Sequence, residues 1–182
     1  MYRIDETDYL LDSFVRGNPD SFEKIYKSLY PVLYNYGRQF NINEADTDDC
    51  IQEVFVDIWN SRSRIKIKSL KAYLMRCVRN KILKILSTKI KENVKAENYT
   101  REEFEISYHP LQFEIDIQNN LELEEKLKQH IARLGPRQRE IIFLIYYNNL
   151  SYVEVAEILN LKIKTVYNHV HNSINYLRAS LK

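Results

Sequence analysis

The sequence predicts an all-α fold made of two small helical domains joined by a linker. Its 182 residues hold only three glycines and four prolines, with no Asn-Gly or Asp-Gly hairpin signal. Apolar residues instead recur at helical spacing along most of the chain. That spacing fades between Glu92 and Asn120, around Glu97-Asn-Tyr-Thr-Arg-Glu-Glu103 and His109-Pro110. The expected organisation is therefore a first domain over residues 1–91, a linker over 92–120 and a second domain over 121–182. With 45% hydrophobic and 29% charged residues, the chain has enough apolar surface for two real cores.

The elements follow in order. Leu10, Leu11, Phe14 and Val15 lie on one side of a short first helix, which Gly17-Asn18 stops. Pro19 opens a second helix with Asp20 near its positive end, and Phe22, Ile25, Tyr26 and Leu29 form its apolar side. Pro31 is expected to kink or interrupt it, because proline removes a backbone donor and crowds the preceding turn. A third helix is expected from a cap at Asp46 or Thr47, with Asp48 and Asp49 in its first turn and a stripe of Ile51, Val54, Phe55, Ile58 and Trp59. Its other face carries Asp49, Gln52, Glu53 and Val56. Residues Asn60 to Ser69 read as a basic loop. Leu70, Leu74, Cys77, Val78, Ile82 and Ile85 then line a fourth helix, leaving Lys71, Arg76, Arg79, Asn80 and Lys84 on its remaining face.

The C-terminal part holds the sharpest pattern. After Leu134-Gly-Pro-Arg-Gln-Arg-Glu140 and a hydrophobic helix, Leu150 to Leu159 reads as one helix, Asn160-Leu-Lys162 as a turn and Ile163 onward as another. This is the spacing of a helix-turn-helix, in which the first helix braces a second that enters the DNA major groove. Val155, Ala156 and Leu159 are expected to face inward, with Ala156 small enough for close helix approach. Leu161 would plug the turn, and Ile163, Val166, Val170 and Leu177 would point inward from the second helix. Asn160 stands where the turn needs a left-handed residue, a conformation Asn tolerates. Lys162, Lys164, Thr165, His169, Asn168 and Asn172 remain outward. Lysine reaches phosphates or guanine, asparagine pairs with adenine, and threonine touches the thymine methyl.

A net charge of +2 conceals a strong segregation of sign. Every charged residue from Glu44 to Asp57 is acidic, and every one from Arg62 to Lys91 is basic. The basic segment is interleaved with Tyr73 and Met75, a combination suited to single strands, whose phosphates need cations and whose bases need flat partners. Taken alone, such a run is also what an ordinary solvated helix face looks like, and so is the acidic face of the third helix.

Other classes find little support. Cys50 and Cys77 sit among apolar residues, as reduced cytosolic cysteines do, and have no histidines nearby to make a zinc site. The N-terminus lacks a basic segment followed by an apolar run, and no stretch reaches the ~20 apolar residues of a membrane span. A cytoplasmic protein without membrane insertion is expected. His109, His130, His169 and His171 are scattered, and no phosphate loop, nucleophile motif or metal constellation is present, so neither an enzyme nor a cofactor is expected. A conventional repressor or activator and a helical adaptor without nucleic acid remain as alternatives.

The motifs together resemble a bacterial extracytoplasmic-function (ECF, group 4) sigma factor of RNA polymerase over nearly the whole chain. Leu134-x-Pro136-Arg-Gln-Arg-Glu140-Ile-Ile-Phe143, Leu150-Ser-Tyr-x-Glu154-x-Ala156-x-x-Leu159 and Lys164-Thr165-Val166 are similar to sigma region 4. Gly17-x-x-x-Ser21-Phe22-Glu23, Asp48-Asp49-Cys50-Ile51-Gln52-Glu53-Val54-Phe55 and Tyr73-Leu74-x-Arg76-x-x-x-Asn80 resemble regions 2.1 to 2.3. The resemblance implies that Asp48, Asp49, Gln52, Glu53, Phe55 and Asp57 bind the β′ clamp helices of core RNA polymerase. It implies that the loop from Asn60 to Ser69, including Arg62 and Arg64, captures a flipped base of the promoter minus-ten element. Lys71, Tyr73, Arg76, Arg79 and Asn80 would hold the non-template strand. Region 4 would read the minus-thirty-five element through Lys162, Lys164, Thr165, Asn168, His169 and Asn172 while docking on the β flap, and the linker would thread near the active-site channel. Such factors are commonly held by an anti-sigma factor. Departures from the pattern are Tyr73 for the usual Trp, Lys84 for Asp, Ser87 for Arg, and Lys162 for a capping serine; the commonly basic run after Thr-Val reads Tyr167-Asn-His-Val-His-Asn-Ser-Ile174, so groove contact relies less on arginine than is usual.

Overall fold

The computed structural model describes residues 4–40, 42–64, 67–93 and 121–181. Among them the regular elements are helical. They are α1 (Ile4–Val15), α2 (Pro19–Gly37), α3 (Glu44–Ser61) with a 3-10 turn at Arg62–Arg64, α4 (Leu70–Asn93), α5 (Leu121–Ala132), α6 (Pro136–Ile142) continuing as a π-helical turn at Phe143–Tyr147, α7 (Tyr152–Leu159) and α8 (Ile163–Ser180). The all-α expectation holds. The chain divides into two compact units, Met1–Arg38 with Ile42–Ser87 and Gln39–Asn41 with Thr88–Lys182. Helix α4 runs to Asn93, two residues past the expected domain end at Lys91, and most of the expected linker lies outside the described residues.

In the first unit, Gly17 takes φ 86° between α1 and α2, a conformation that glycine adopts without a Cβ penalty. Asn18 then caps α2, its Oδ1 accepting from the N–H groups of Asp20 at 2.9 Å and Ser21 at 3.1 Å. An aromatic cluster joins α1, α2 and α3. Phe22 meets Phe14 at 6.2 Å, Trp59 at 4.9 Å and Phe55 edge-on at 6.0 Å, and Tyr26 meets Phe55 at 4.7 Å. Pro31 does not interrupt α2, which runs unbroken through it. It is exposed, so the lost backbone bond opens toward water, while Tyr26, Tyr30 and Leu33 hold the helix on its covered side.

Helix α3 also starts earlier than expected. Asn43 is its cap, accepting from Asp46 N at 2.6 Å. Thr47 is thereby freed for packing: it is buried, donates to Asn43 O at 2.9 Å and lies against Gly37. Leu74, Met75, Val78 and Ile82 are fully covered on α4, with Ile51, Val54, Phe55 and Ile58 buried on α3.

In the second unit, α8 packs against α5, α6 and α7. Arg139 closes the turn before α6, its Nη1 donating to Ala132 O at 2.8 Å and Leu134 O at 2.6 Å. The π-helical turn ends with Asn148 N donating to Phe143 O at 3.1 Å and with Asn149 at φ 52°. That reversal delivers Ser151 to the start of α7. There it forms a capping box: Glu154 N donates to Ser151 Oγ at 3.3 Å and Ser151 N to Glu154 Oε2 at 2.8 Å.

Candidate nucleic-acid and partner interfaces

The helix-turn-helix is built as the spacing predicts. Asn160 caps α7 in the left-handed region at φ 52°, ψ 49°, and Leu161 N donates to Ala156 O at 2.9 Å, which turns the chain within three residues. Val155, Ala156, Ile158 and Leu159 of α7 and Val166, Val170, Ser173 and Leu177 of α8 are buried. Ile163, the first residue of α8, is the exception: it is 42% exposed.

Lys162, Lys164, Asn168 and Asn172 are exposed, whereas Thr165 and His169 are half-buried at the edge of the face. Lys162 occupies the N-cap position without a side-chain hydrogen bond; Thr165 N donates to Lys162 O at 2.8 Å, and no side chain of the cap meets the first-turn N–H groups before it. His169 has its pKa pushed below the usual histidine value by burial and, secondarily, by the Arg137 charge. Two residues outside the expected set complete the face. His171 and Asn175 are exposed, 2.9 Å apart, and with Lys164 and Asn168 they follow an i, i+4, i+7, i+11 series. Continuing that period from Lys164 would have found them. Tyr167, also exposed, stacks on Tyr152 at 4.3 Å and 13° and fixes one border of the face.

On α4, Tyr73, Arg76 and Asn80 share a face, with Arg76 and Asn80 exposed and Tyr73 half-buried beside the Cys77 thiol. Burial, more than that thiol, raises the Tyr73 pKa. Lys71 is half-buried and engages other groups of the chain. Arg79 corrects its expected place on the outer face. It is only 6% exposed and has intramolecular partners, since its position falls in the series Met75, Val78 and Ile82 that packs inward.

Arg64 is exposed on the 3-10 turn, but Arg62 is turned inward. Its guanidinium lies 4.3 Å from the Trp59 ring centroid and donates to Trp59 O at 2.6 Å, while a Cβ at Gly17 would stand 3.0 Å from its Nε. Arg62 thus ties the end of α3 to the α1–α2 turn. Residues 65 and 66 of the expected base-capturing loop lie outside the described residues.

The third group of residues lies on α3. Asp49, Gln52, Glu53 and Asp57 are exposed, with Val56 among them at 57%. Asp48 is half-buried and accepts from the Tyr30 hydroxyl. Phe55, expected as a contact, is 2% exposed and belongs to the aromatic cluster, because it lies on the opposite side of α3 from Glu53 and Asp57. Lys81 of α4, absent from the expected set, reaches this face, with Nζ 2.8 Å from Glu53 Oε2 and 3.0 Å from Asp57 Oδ2.

No helix among the described residues is long and apolar enough to cross a membrane. No group of three or more histidine, cysteine, aspartate or glutamate side chains among them could hold a metal.

The family profile described as Sigma-70 region 2 matches residues 25–89, and that described as Sigma-70, region 4 matches residues 124–175. The ECF RNA polymerase sigma factor SigE of Mycolicibacterium smegmatis is 24% identical over 163 residues, covering 88% of this chain and 62% of that protein. SigW of Bacillus subtilis, described in the same words, is 36% identical over 63 residues, covering 35% of this chain and 34% of its own. The chain thus spans less than two thirds of these relatives' lengths. The fold is that of the sigma factor RpoE of Bartonella quintana, solved in complex with the anti-sigma factor NepR, with TM-score 0.61 and 23% identity over 88% of this chain and 96% of that one. CnrH, solved with the cytosolic domain of CnrY, gives TM-score 0.60 and 22% identity over 95% of each chain. Both sigma regions occur in order on the two units that carry the acidic, basic and helix-turn-helix faces, and the chain belongs to the sigma-70 family of RNA polymerase sigma factors, in its extracytoplasmic-function group.

Proposed function

We propose that the protein directs core RNA polymerase to a specific set of promoters and helps open them. The observation that carries this reading is the exposed polar face of α8, framed by a tight helix-turn-helix, in a chain whose other unit presents separate acidic and basic faces. Lys164, Asn168, His171, Asn172 and Asn175 would meet the minus-thirty-five element, with Lys162, Thr165 and His169 at the margins. The first turn of α8 offers donors to a phosphate. Arg64, Tyr73, Arg76 and Asn80 would follow the displaced strand of the minus-ten element, the cations on phosphates and the aromatic ring against a base. Arg62, Lys71 and Arg79 support that surface from behind. The exposed side of α3 would meet the polymerase clamp through Asp49, Gln52, Glu53, Val56 and Asp57, an apolar centre with a charged surround.

An anti-sigma factor covering these docking faces would keep the protein from polymerase. The structural relative RpoE, solved with the anti-sigma factor NepR, supports that idea. Transcription in vitro with core polymerase on a random promoter library tests the main reading. Enrichment of a two-part sequence with fixed spacing is the expected result. Failure to form a complex with core polymerase at low salt would overturn it.

A further inference from the structure

We infer that Lys81 is a built-in counter-cation that sets how strongly the acidic face of α3 attracts a basic partner surface; the inference rests on the proposed docking of core polymerase on that face. Asp49, Glu53 and Asp57 recur every four residues along α3 and form one exposed acidic line. Into that line the chain places a cation from a different helix. Lys81 Nζ contacts Glu53 and Asp57 together, at 2.8 and 3.0 Å.

The geometry separates a damping role from a purely architectural one. Both carboxylates are 67% exposed, while the lysine side chain is 29% exposed, so its stem is covered and only its head reaches the acidic line. A partner's cations can therefore approach the outer carboxylate oxygens while Lys81 stays in place. They meet a face with one of its three charges cancelled and a like charge beside it. Exposed ion pairs contribute little to fold stability, whereas charge complementarity governs encounter rate, so the consequence belongs to association. The hydrogen bond to Glu53 raises the Lys81 pKa against the effect of burial, and the ammonium persists across the physiological range.

The test compares the full chain with Lys81→Met and Lys81→Gln in stopped-flow association with core polymerase, at low and at high salt. Both variants are expected to associate about 3- to 10-fold faster at low salt, with the gain disappearing at high salt as screening removes the field. In a Glu53→Gln/Asp57→Asn background the gain should also vanish. Unchanged or slower association in both variants, with the helical signal intact, would overturn the inference. Val56→Arg distinguishes the underlying reading: if it leaves binding unaltered, docking on this face is lost and the Lys81 inference with it. If Val56→Arg weakens binding while both Lys81 variants match the parent, only the inference about Lys81 falls.

Discussion

The hydroxyl of Tyr30 on α2 donates to Oδ1 of Asp48 in the second turn of α3, so the first carboxylate of the Asp48–Phe55 motif is committed within its own domain. That bond raises the Tyr30 pKa from 10.0 to about 12, with burial and the Asp48 charge adding to it. A folded-state pKa above the unfolded value gives stability that is complete below pH ~10 and lost as pH rises toward ~12. Tyr30→Phe should lower unfolding stability by about 1 kcal/mol at neutral pH and remove this alkaline dependence. Urea melts of both proteins at neutral and alkaline pH check both halves.

Gly37 sits where α2 passes Thr47 of α3. A Cβ there would stand 2.7 Å from Thr47 Cγ2, closer than real contacts allow. Gly37→Ala should destabilise by about 1–2 kcal/mol, because overpacking outweighs the gain in helix propensity. Adding Thr47→Ser, which removes the opposing methyl, should recover part of the loss. A double-mutant cycle with no coupling between the two sites would refute the steric account.

Arg62 distinguishes positioning from DNA contact. Its stacking over Trp59 and its bond to Trp59 O need a planar guanidinium, which lysine lacks. Arg62→Lys should therefore cost about 1 kcal/mol of stability although charge is retained. Arg64→Lys, on an exposed side chain, should leave the melting temperature unchanged. Equal melts for the two variants would restore Arg62 as a simple surface cation.

On α8 the two kinds of contact should part company. Asn168→Ala is expected to relax base preference at one minus-thirty-five position, at a cost of about 1–3 kcal/mol on the preferred sequence. Lys164→Met should weaken all sequences alike and make the salt dependence of holoenzyme binding shallower by about one phosphate contact. Promoter-library selection across a salt series reads both; identical sequence profiles for parent and Asn168→Ala would remove Asn168 from the reading face.

His169 links the same helix to pH. Its depressed pKa means that the folded protein resists protonation, so stability should fall as pH drops below ~6.5 toward the lowered folded value. His169→Gln should flatten that decline. Titration of the imidazole signal by NMR gives the pKa directly, and a value at or above 6.5 would contradict the burial argument.

Local signals were enough to identify many elements and the helix-turn-helix, because caps, turns and apolar periods are properties of a few neighbouring residues. Asn160 in its left-handed turn, Ser151 with Glu154, and the covered series Val166, Val170 and Leu177 are all legible that way. The acidic and basic segments also stand out as runs of sign. The assignment of individual side chains to a surface needed the tertiary structure. Phe55 and Arg79 occur inside functional motifs yet turn inward, and Pro31 leaves its helix unbroken because it faces water. Lys81 reads in sequence as one more cation of the basic helix, and only the packing of α4 beside α3 places it between Glu53 and Asp57. Sequence by itself determined where most of the helices fall, since that depends on neighbours along the chain, but not the 3-10 turn at Arg62–Arg64 within the expected loop or the π-helical turn at Phe143–Tyr147. Which charges remain free to meet a partner was decided by residues brought together from distant positions, whose mutual distances no local pattern encodes.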